Sequence, residues 1–435
     1  MAFSKVILNG VTLMDVTQDT VTAETLKQNE TAHGADGMGI VGAMSSVRPF
    51  IEPNDVTFYD YDGTVVASYT ASDFAQLEAL PANPSREKLV AQGWNWTLTD
   101  AKTHVAKYGK LNIGQMYVTQ SGNTEIDVEF IDSARLNPTM TIAASGTITV
   151  DWGDNTTPDT VTGSSLSTRL FVQHTYANIG KYTISIHAEE GRYYSLYSNE
   201  NYLLLTKSSG SSANGGRVYA GFIKKVRIGN GITSLANSFY RCYNLVSVSI
   251  PSHITTFNNN SFYQCYNLRY VTFPSGIQST GNTVFSACAK LKAVSLPKSI
   301  TEIGQSAFAY CYNLSTITIP DNVSAIYVSA FRGCTGLEYV NLPDSIPTIN
   351  DNTFNECYIL TKLTFPANIT ALGNTSLSNC FNLASLTIPE NVTSIGTDAL
   401  KNLYGIKELH MKPSSPPTLA NEITGLQSDA VIYVP

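Results

Sequence analysis

The chain has 435 residues, only 14% of them charged, and a formal net charge of −7. So charge-poor and acidic a surface has no basic face for a phosphate backbone, which excludes nucleic acid as an expected partner. No run of about 18 apolar residues occurs, so no membrane insertion is expected, and the start, Met1–Gly10, lacks the apolar core and cleavage site of a secretory signal.

Residues 1–46 alternate short apolar runs with Gly and Asp, as in "VTLMDVTQDTVT" and "TAHGADGMGIVG". This pattern resembles a module at the start of tailed-phage and prophage structural proteins, L-x-D-x-T-x-D-T-V-T followed by T-A-H-x-x-x-G-x-x-I-x-G. The resemblance implies attachment to a virion, with other virion proteins as partners of the N-terminal region. It also accounts for an adhesin-like chain without a secretion signal, because virions assemble in the host cytoplasm and leave by lysis.

Residues 50–124 have the pattern of a small α+β domain. "VTFYDYDGTVVASYT" predicts two strands around a turn at Asp60–Gly63. A helix is expected to begin at an N-cap Ser72 and stop at Pro81, and a second to begin at Thr99 or Asp100 and close at Gly109. "DYDGT" resembles the first motif of haloacid-dehalogenase-type phosphotransferases, which would make Asp60 the nucleophile and Asp62 the acid/base beside Mg²⁺. That chemistry also needs a helix-borne Lys and a later acidic pair; the alternative is a hairpin turn, where Asp-Gly is favoured. As an EF-hand loop the stretch fails, since its twelfth position is Ala71. The block, with "QGWNWTLTDAK", also resembles proteins encoded by gut phages ahead of repeat regions.

Residues 125–206 are strand-rich. "GTITVDWGDN" and "HTYANIGKYTISI" resemble the two ends of a polycystic-kidney-disease-type (PKD), immunoglobulin-like β-sandwich, with Asn155 in place of the usual final Gly. Without the name, "WGDN" is a turn between strands, and Tyr176 and Tyr182 sit where a sandwich buries aromatics. Asp151, Asp154 and Asn155 are too few ligands for a convincing Ca²⁺ site. Residues 207–216, "KSSGSSANGG", form a Ser/Gly linker.

From 217 to 412 the chain repeats every 23 residues. Cys242, Cys265, Cys288, Cys311, Cys334, Cys357 and Cys380 hold one position, Pro251 to Pro389 another, and Leu245 to Leu383 a third. Phe occupies a fourth from Phe239 to Phe354, then yields to Leu377 and Leu400. Each unit ends in a short alternation such as Val248-Ser249-Ile250, a strand with one buried face that Pro terminates. The Phe-x-x-Cys spacing suits one helical or 3₁₀ turn. Such a unit cannot bury its face alone; stacked units can, in a parallel sheet. The pattern resembles the BspA-like leucine-rich repeats of bacterial surface antigens, which implies a solenoid used for adhesion and recognition, and whose members usually continue past "VIYVP". Residues 413–435 are expected to form a cap, with the last coil frayed.

The cysteines form a row, which cannot surround a zinc ion, and their count is odd, which argues against complete pairing. They are expected to be a buried structural ladder, each thiol a small apolar group. Outside them, the six histidines show no metal spacing, and no cofactor is expected.

Two columns of residues are expected to face outward: a strand column containing Tyr270, Tyr339 and Lys362, and an aromatic rim beside the cysteines containing Tyr240, Tyr243, Tyr263, Tyr266, Tyr310, Tyr312 and Tyr358. Rows of aromatics either seal a solenoid edge or form an interface. The whole chain is therefore expected to be mainly β and multidomain: a leucine-rich-repeat solenoid with a parallel sheet and short helical turns, preceded by a β-sandwich and a small α+β region. The expected function is non-enzymatic, a virion-associated fibre or adhesin that binds a host-surface glycan or protein through the solenoid. The alternatives are a structural virion spacer or assembly protein, a bacterial surface adhesin, and the phosphatase at Asp60. No heptads demand a homo-oligomer, although one would suit a fibre.

Overall fold

The computed structural model describes residues 55–197, 204–206, 219–235 and 238–435, together with the backbone of four earlier strands, β1 (Lys5–Leu8), β2 (Val11–Asp15), β3 (Ala32–His33) and β4 (Gly39–Ile40). The rest of the 1–46 module and the linker at 207–216 lie outside the described residues.

The first described unit is a four-stranded sheet in the order β6 (Val65–Tyr69), β5 (Val56–Tyr59), β8 (Leu111–Thr119), β7 (Leu89–Trp94). Two helices accompany it, α1 (Ala71–Ala75) and α2 (Leu98–Tyr108). Their N-caps are Thr70 and Thr97, not Ser72 and Thr99 or Asp100. Each threonine Oγ1 accepts from the backbone N–H three residues on, while Ser72 already lies inside the first turn. Gly109 closes α2 at φ 78°, a left-handed conformation that glycine adopts without Cβ strain. Phe58 packs against Phe74 and Trp94 in this unit's core.

The second unit is built on one long strand, β10 (Thr139–Asp151). It pairs with β11 (Asp159–Gln173) along one edge, and along the other in turn with β14 (Leu205–Thr206), β13 (Tyr194–Leu196) and β12 (Gly180–Ala188). Strand β9 (Thr124–Phe130) follows β12. The "WGDN" and "HTY" segments meet: Tyr176 Oη donates to the Trp152 carbonyl at 3.0 Å, and Trp152 and His174 stack at 4.9 Å. Tyr182 stacks on Tyr176 at 4.2 Å.

Residues 219–435 form a solenoid of about nine turns, and the chain is mainly β. Its strand face begins with β15 (Ile223–Arg227) paired parallel to β16 (Ser247–Ser249), 22 residues on, and continues with β17 (Tyr270–Thr272) paired parallel to β18 (Ala293–Ser295), 23 residues on. On another side, two-residue strands such as Thr348–Ile349, Ala371–Leu372 and Ser394–Ile395 make a second parallel ribbon that the sequence pattern did not reveal. The Phe-x-x-Cys segment is a turn with i→i+3 bonding; Cys311 N–H donates to the Phe308 carbonyl at 3.2 Å. Phe285, Phe308, Phe331 and Phe354 stack at 5.5–5.6 Å down the interior.

Both ends of the sheet are covered. Strand β9 pairs antiparallel with β15, so it occupies the edge that the first coil would leave open. At the other end the last coil is not frayed: Val431–Val434 pairs parallel with Glu408–His410, and β1 runs parallel beside Val431–Val434.

All seven cysteines are buried and free. From the second to the seventh, each Sγ lies 3.1–3.3 Å from the Phe carbonyl of the preceding coil; Cys311, for example, bonds the Phe285 carbonyl. The thiol is thus a weak donor to a carbonyl's second lone pair as well as an apolar filler. Burial pushes every one of these thiols up, Cys334 and Cys380 to about 12. Since the thiolate is the nucleophile, native protein is expected to leave all seven unreacted in a thiol assay at pH 8, and to react fully once denatured. Fast labelling of the native protein would contradict that.

Candidate recognition surface

The strand face of the solenoid carries two outward columns. One runs Lys225, Ser247, Tyr270, Ala293, Thr316, Tyr339, Lys362, Ser385, Glu408; the other runs Arg227, Ser249, Thr272, Ser295, Thr318, Asn341, Thr364, Thr387, His410. Their exposure is sharply graded. Past Lys225, which is exposed, and Arg227, which is half-buried, Ser247, Ser249, Tyr270, Thr272, Ala293, Ser295, Thr318 and Asn341 are buried, Thr316 and Tyr339 are half-buried, and Lys362, Thr364, Ser385, Thr387 and Glu408 are exposed, with His410 half-buried at the end.

The cause is the α+β unit, which sits on the first half of this face. Tyr59 stacks on Tyr270 at 4.7 Å and 29°. Asn95 Nδ2 donates to the carbonyls of Phe273 and Ser295 at 3.0 and 3.2 Å, and Trp96 Nε1 donates to the Leu296 carbonyl at 2.8 Å. Ser295 Oγ donates to the Asn112 carbonyl at 2.7 Å, and Gln92 Oε1 accepts from Ser252 N–H at 2.7 Å. Gly114 is needed here for close approach, since a Cβ would fall 2.2 Å from Thr272 Oγ1. Helix α2 lies along the coil turns that follow the strands: Asp100 pairs with Lys298, and Lys107 with Asp344 at 2.8 Å and Asp321 at 3.6 Å.

Tyr270 is therefore not on an open face. It is 1% exposed, held under the α+β unit. Tyr339 is partly covered too, with Lys110 Nζ 5.5 Å from its ring centre. Of the three strand-face candidates only Lys362 is exposed.

The rim residues lie on one corner, where they stack along the solenoid. Tyr240 pairs with Tyr263 at 5.1 Å, Tyr243 with Tyr266 at 5.3 Å, and Tyr358 with Phe381 at 4.9 Å. Arg241 covers Tyr240, and Arg332 covers Tyr310. Ring faces thus meet neighbouring coils, leaving edges toward solvent. Tyr240 is buried, at 7% exposure, and is no contact residue. Tyr266 and Tyr312 are the open members, at 39% and 40%. They flank Ala289, a small residue where the other coils carry an aromatic or, at 335, a threonine.

The remaining candidate chemistry is internally committed. Asp60 is fully buried; its carboxylate accepts from Arg86 Nε and from Tyr61 N–H, while Asp62 accepts from Thr64 N–H in a hairpin turn. A buried, arginine-paired Asp60 cannot reach a phosphoryl group. Asp151 bonds Gly153 N–H, and Asp154 bonds Thr156 and His174, so "WGDN" is a self-bonded turn. Among the described residues no cluster has the makings of a metal site, and no helix is long and apolar enough to cross a membrane. Sequence reasoning missed Gln92, Asn95 and Trp96. The available signal was "QGWNW", which holds two of the chain's three tryptophans.

Residues 219–338 and 301–420 match the family model described as a BspA type leucine rich repeat region, in six copies. No curated protein matches the chain. Among solved structures, the leucine-rich repeat protein of T. pallidum is 29% identical over 36% of this chain and 74% of its own, with a TM-score of 0.33. One from Bacteroides ovatus is 23% identical over 48% and 73%, with a TM-score of 0.35. A leucine rich cell surface protein from Faecalibacterium prausnitzii is 23% identical over 43% and 66%, at 0.29. The stacked coils from 219 to 420 are thus a BspA-type leucine-rich repeat region.

Proposed function

We propose that the chain is a non-catalytic recognition protein of a phage or prophage virion, whose solenoid binds a host-surface glycan or protein. The carrying observation is the graded strand face: its first half is occupied within the chain, whereas the tract from Lys362 through Thr364, Ser385 and Thr387 to Glu408 stands open. Short hydroxyls between one cation and one anion suit a polar, hydrogen-bonding ligand. Tyr266 and Tyr312 at the corner add aromatic contact area. The N-terminal sequence pattern supports the virion setting, in which many copies per particle would strengthen weak individual contacts. The meeting of "WGDN" with "HTY" supports a PKD-type assignment for residues 125–206.

The test is binding of the full chain to isolated host cell envelopes. Changing both Thr364 and Thr387 to Glu is expected to weaken binding about 10-fold or more, as loss of a central contact does. Removing Tyr266 and Tyr312 should have a smaller effect. Binding indifferent to both pairs, or absent while other virion proteins are bound, would replace this reading with that of a spacer.

A further inference from the structure

Helix α2 touches the solenoid through one residue whose chemistry differs from that of its neighbours. His104 is 1% exposed, and neither ring nitrogen has a hydrogen-bond partner. From its own helix it is faced by Tyr108, with ring centres 4.8 Å apart, and by Lys107. From the segment before the helix comes Trp96, at 5.4 Å. The solenoid contributes Asp321, whose Oδ2 is 3.6 Å from Nδ1, beyond hydrogen-bond length, and whose buried Oδ1, without a hydrogen-bond partner, is 3.6 Å from Lys107 Nζ. The outer contacts of the helix are the Asp100–Lys298 and Lys107–Asp344 pairs, which hold it at either end. The imidazole is therefore enclosed between two aromatic rings at the junction of helix and solenoid.

We propose that His104 makes the docking of helix α2 a pH-sensitive latch, so that acidification loosens the α+β unit and gives access to the strand face at Tyr270, Thr272 and Ser295. A neutral imidazole fits the dry junction. An imidazolium needs solvent or a hydrogen-bonded carboxylate partner, and Asp321, 3.6 Å from both His104 and Lys107, makes no hydrogen bond to the ring. Burial, against the opposing pull of Asp321, lowers the His104 pKa to about 4 from its ordinary 6.5. The undocked state therefore binds the proton first. Docking strength is full above about pH 6.5 and falls as pH drops toward 4, by up to about 10-fold per unit. At the start of the helix, Asp100 is held below the usual carboxylate range by Lys298, so loss of that pair belongs to still lower pH. The unit stays tethered through the turn at 120–123, where Asn230 N–H donates to the Gly122 carbonyl, so loosening is a hinged opening.

The latch is independent of what the solenoid binds, and its test reads docking alone. Thr272, 4% exposed beneath Gly114, is replaced by Cys in the full chain, the seven native thiols being buried. Labelling with a dithiodipyridine then requires opening. The labelling rate of T272C relative to T272C/H104F, which cancels the thiol's own ionisation, is expected to rise about 20-fold from pH 7 to pH 5. A flat ratio overturns the proposal. If H104F itself disturbs docking, seen as fast labelling at pH 7, H104Q serves as the reference. Adding D321N to T272C decides separately: the acid response persists, or deepens below pH 5, if His104 is the sensor. Its disappearance would assign the response to Asp321 and overturn the latch.

Discussion

Phe308→Ala is expected to destabilise the solenoid by about 3–5 kcal/mol, the range for truncating a buried aromatic. Phe308 is fully buried between Phe285 and Phe331, each with its ring centre 5.6 Å away. Neither neighbour can collapse into the space, because each is itself held by the next coil. Stability in a stacked repeat is a sum of unit and nearest-neighbour terms, and this substitution weakens two interfaces at once. Phe308→Leu should cost much less, since the same column accepts Leu377 and Leu400 in later coils. Denaturant unfolding of the two variants checks this, and equal losses would show that the stack carries no special packing.

Arg227→Met is the second large effect, expected at about 3–5 kcal/mol, the range for breaking a buried ion pair from one side. Arg227 bonds Glu125 at 2.9 Å and Asp127 at 2.6 and 2.8 Å, joining strand β9 to the first solenoid strand, with Arg227 and Glu125 both 11% exposed. Loss of the guanidinium leaves two like-charged carboxylates side by side, Glu125 11% and Asp127 29% exposed, without their shared counter-charge. Burial works against ionisation of Asp127, yet the Arg227 pair outweighs it and holds Asp127 below its ordinary 3.8. That contribution is present above about pH 4 and is lost as pH falls through the depressed value. The gap between wild type and Arg227→Met, measured by urea melts, should therefore narrow in acid. Adding Glu125→Gln and Asp127→Asn should recover much of the loss at neutral pH; no recovery would mean the arginine acts through its aliphatic stem alone.

The solenoid was legible because periodic identity is a strong signal: Cys, Phe, Leu and Pro each mark one point on a coil that must meet its copy 23 residues later. The second ribbon at Thr348–Ile349 and its companions was not, since two-residue strands give no alternation to detect. Nor was the cover over Tyr270. Its contacts join residues up to 200 positions apart, and Asn95 and Trp96 engage backbone carbonyls, which no side-chain pattern reports. Tyr270 has the same place in its coil as Lys362; only the tertiary position of the α+β unit separates buried from open. The helix starts were misplaced by a few residues because several Thr, Ser and Asp stand side by side, and only the backbone conformation at Thr70 and Thr97 selects the cap.

The docking of Asn95 and Trp96 on main-chain carbonyls also sets where the molecule can change length. Those carbonyls recur in every coil, so they fix distance to the sheet but not position along it. Position is set by the tether at 120–123 and by single side chains, Tyr270 for Tyr59 and Lys298 for Asp100. A unit of 23 residues inserted after Asp344 would leave these partners untouched and extend the open tract by one strand spacing, about 4.8 Å. The same unit inserted ahead of Tyr270 would carry that partner one spacing away from a cover that cannot follow. Growth by duplication is thus compatible with the cover only beyond Asp344: the proximal coils are a fixed foundation, and a distal insertion would shift only the Val431–Val434 strand and the β1 strand paired with it.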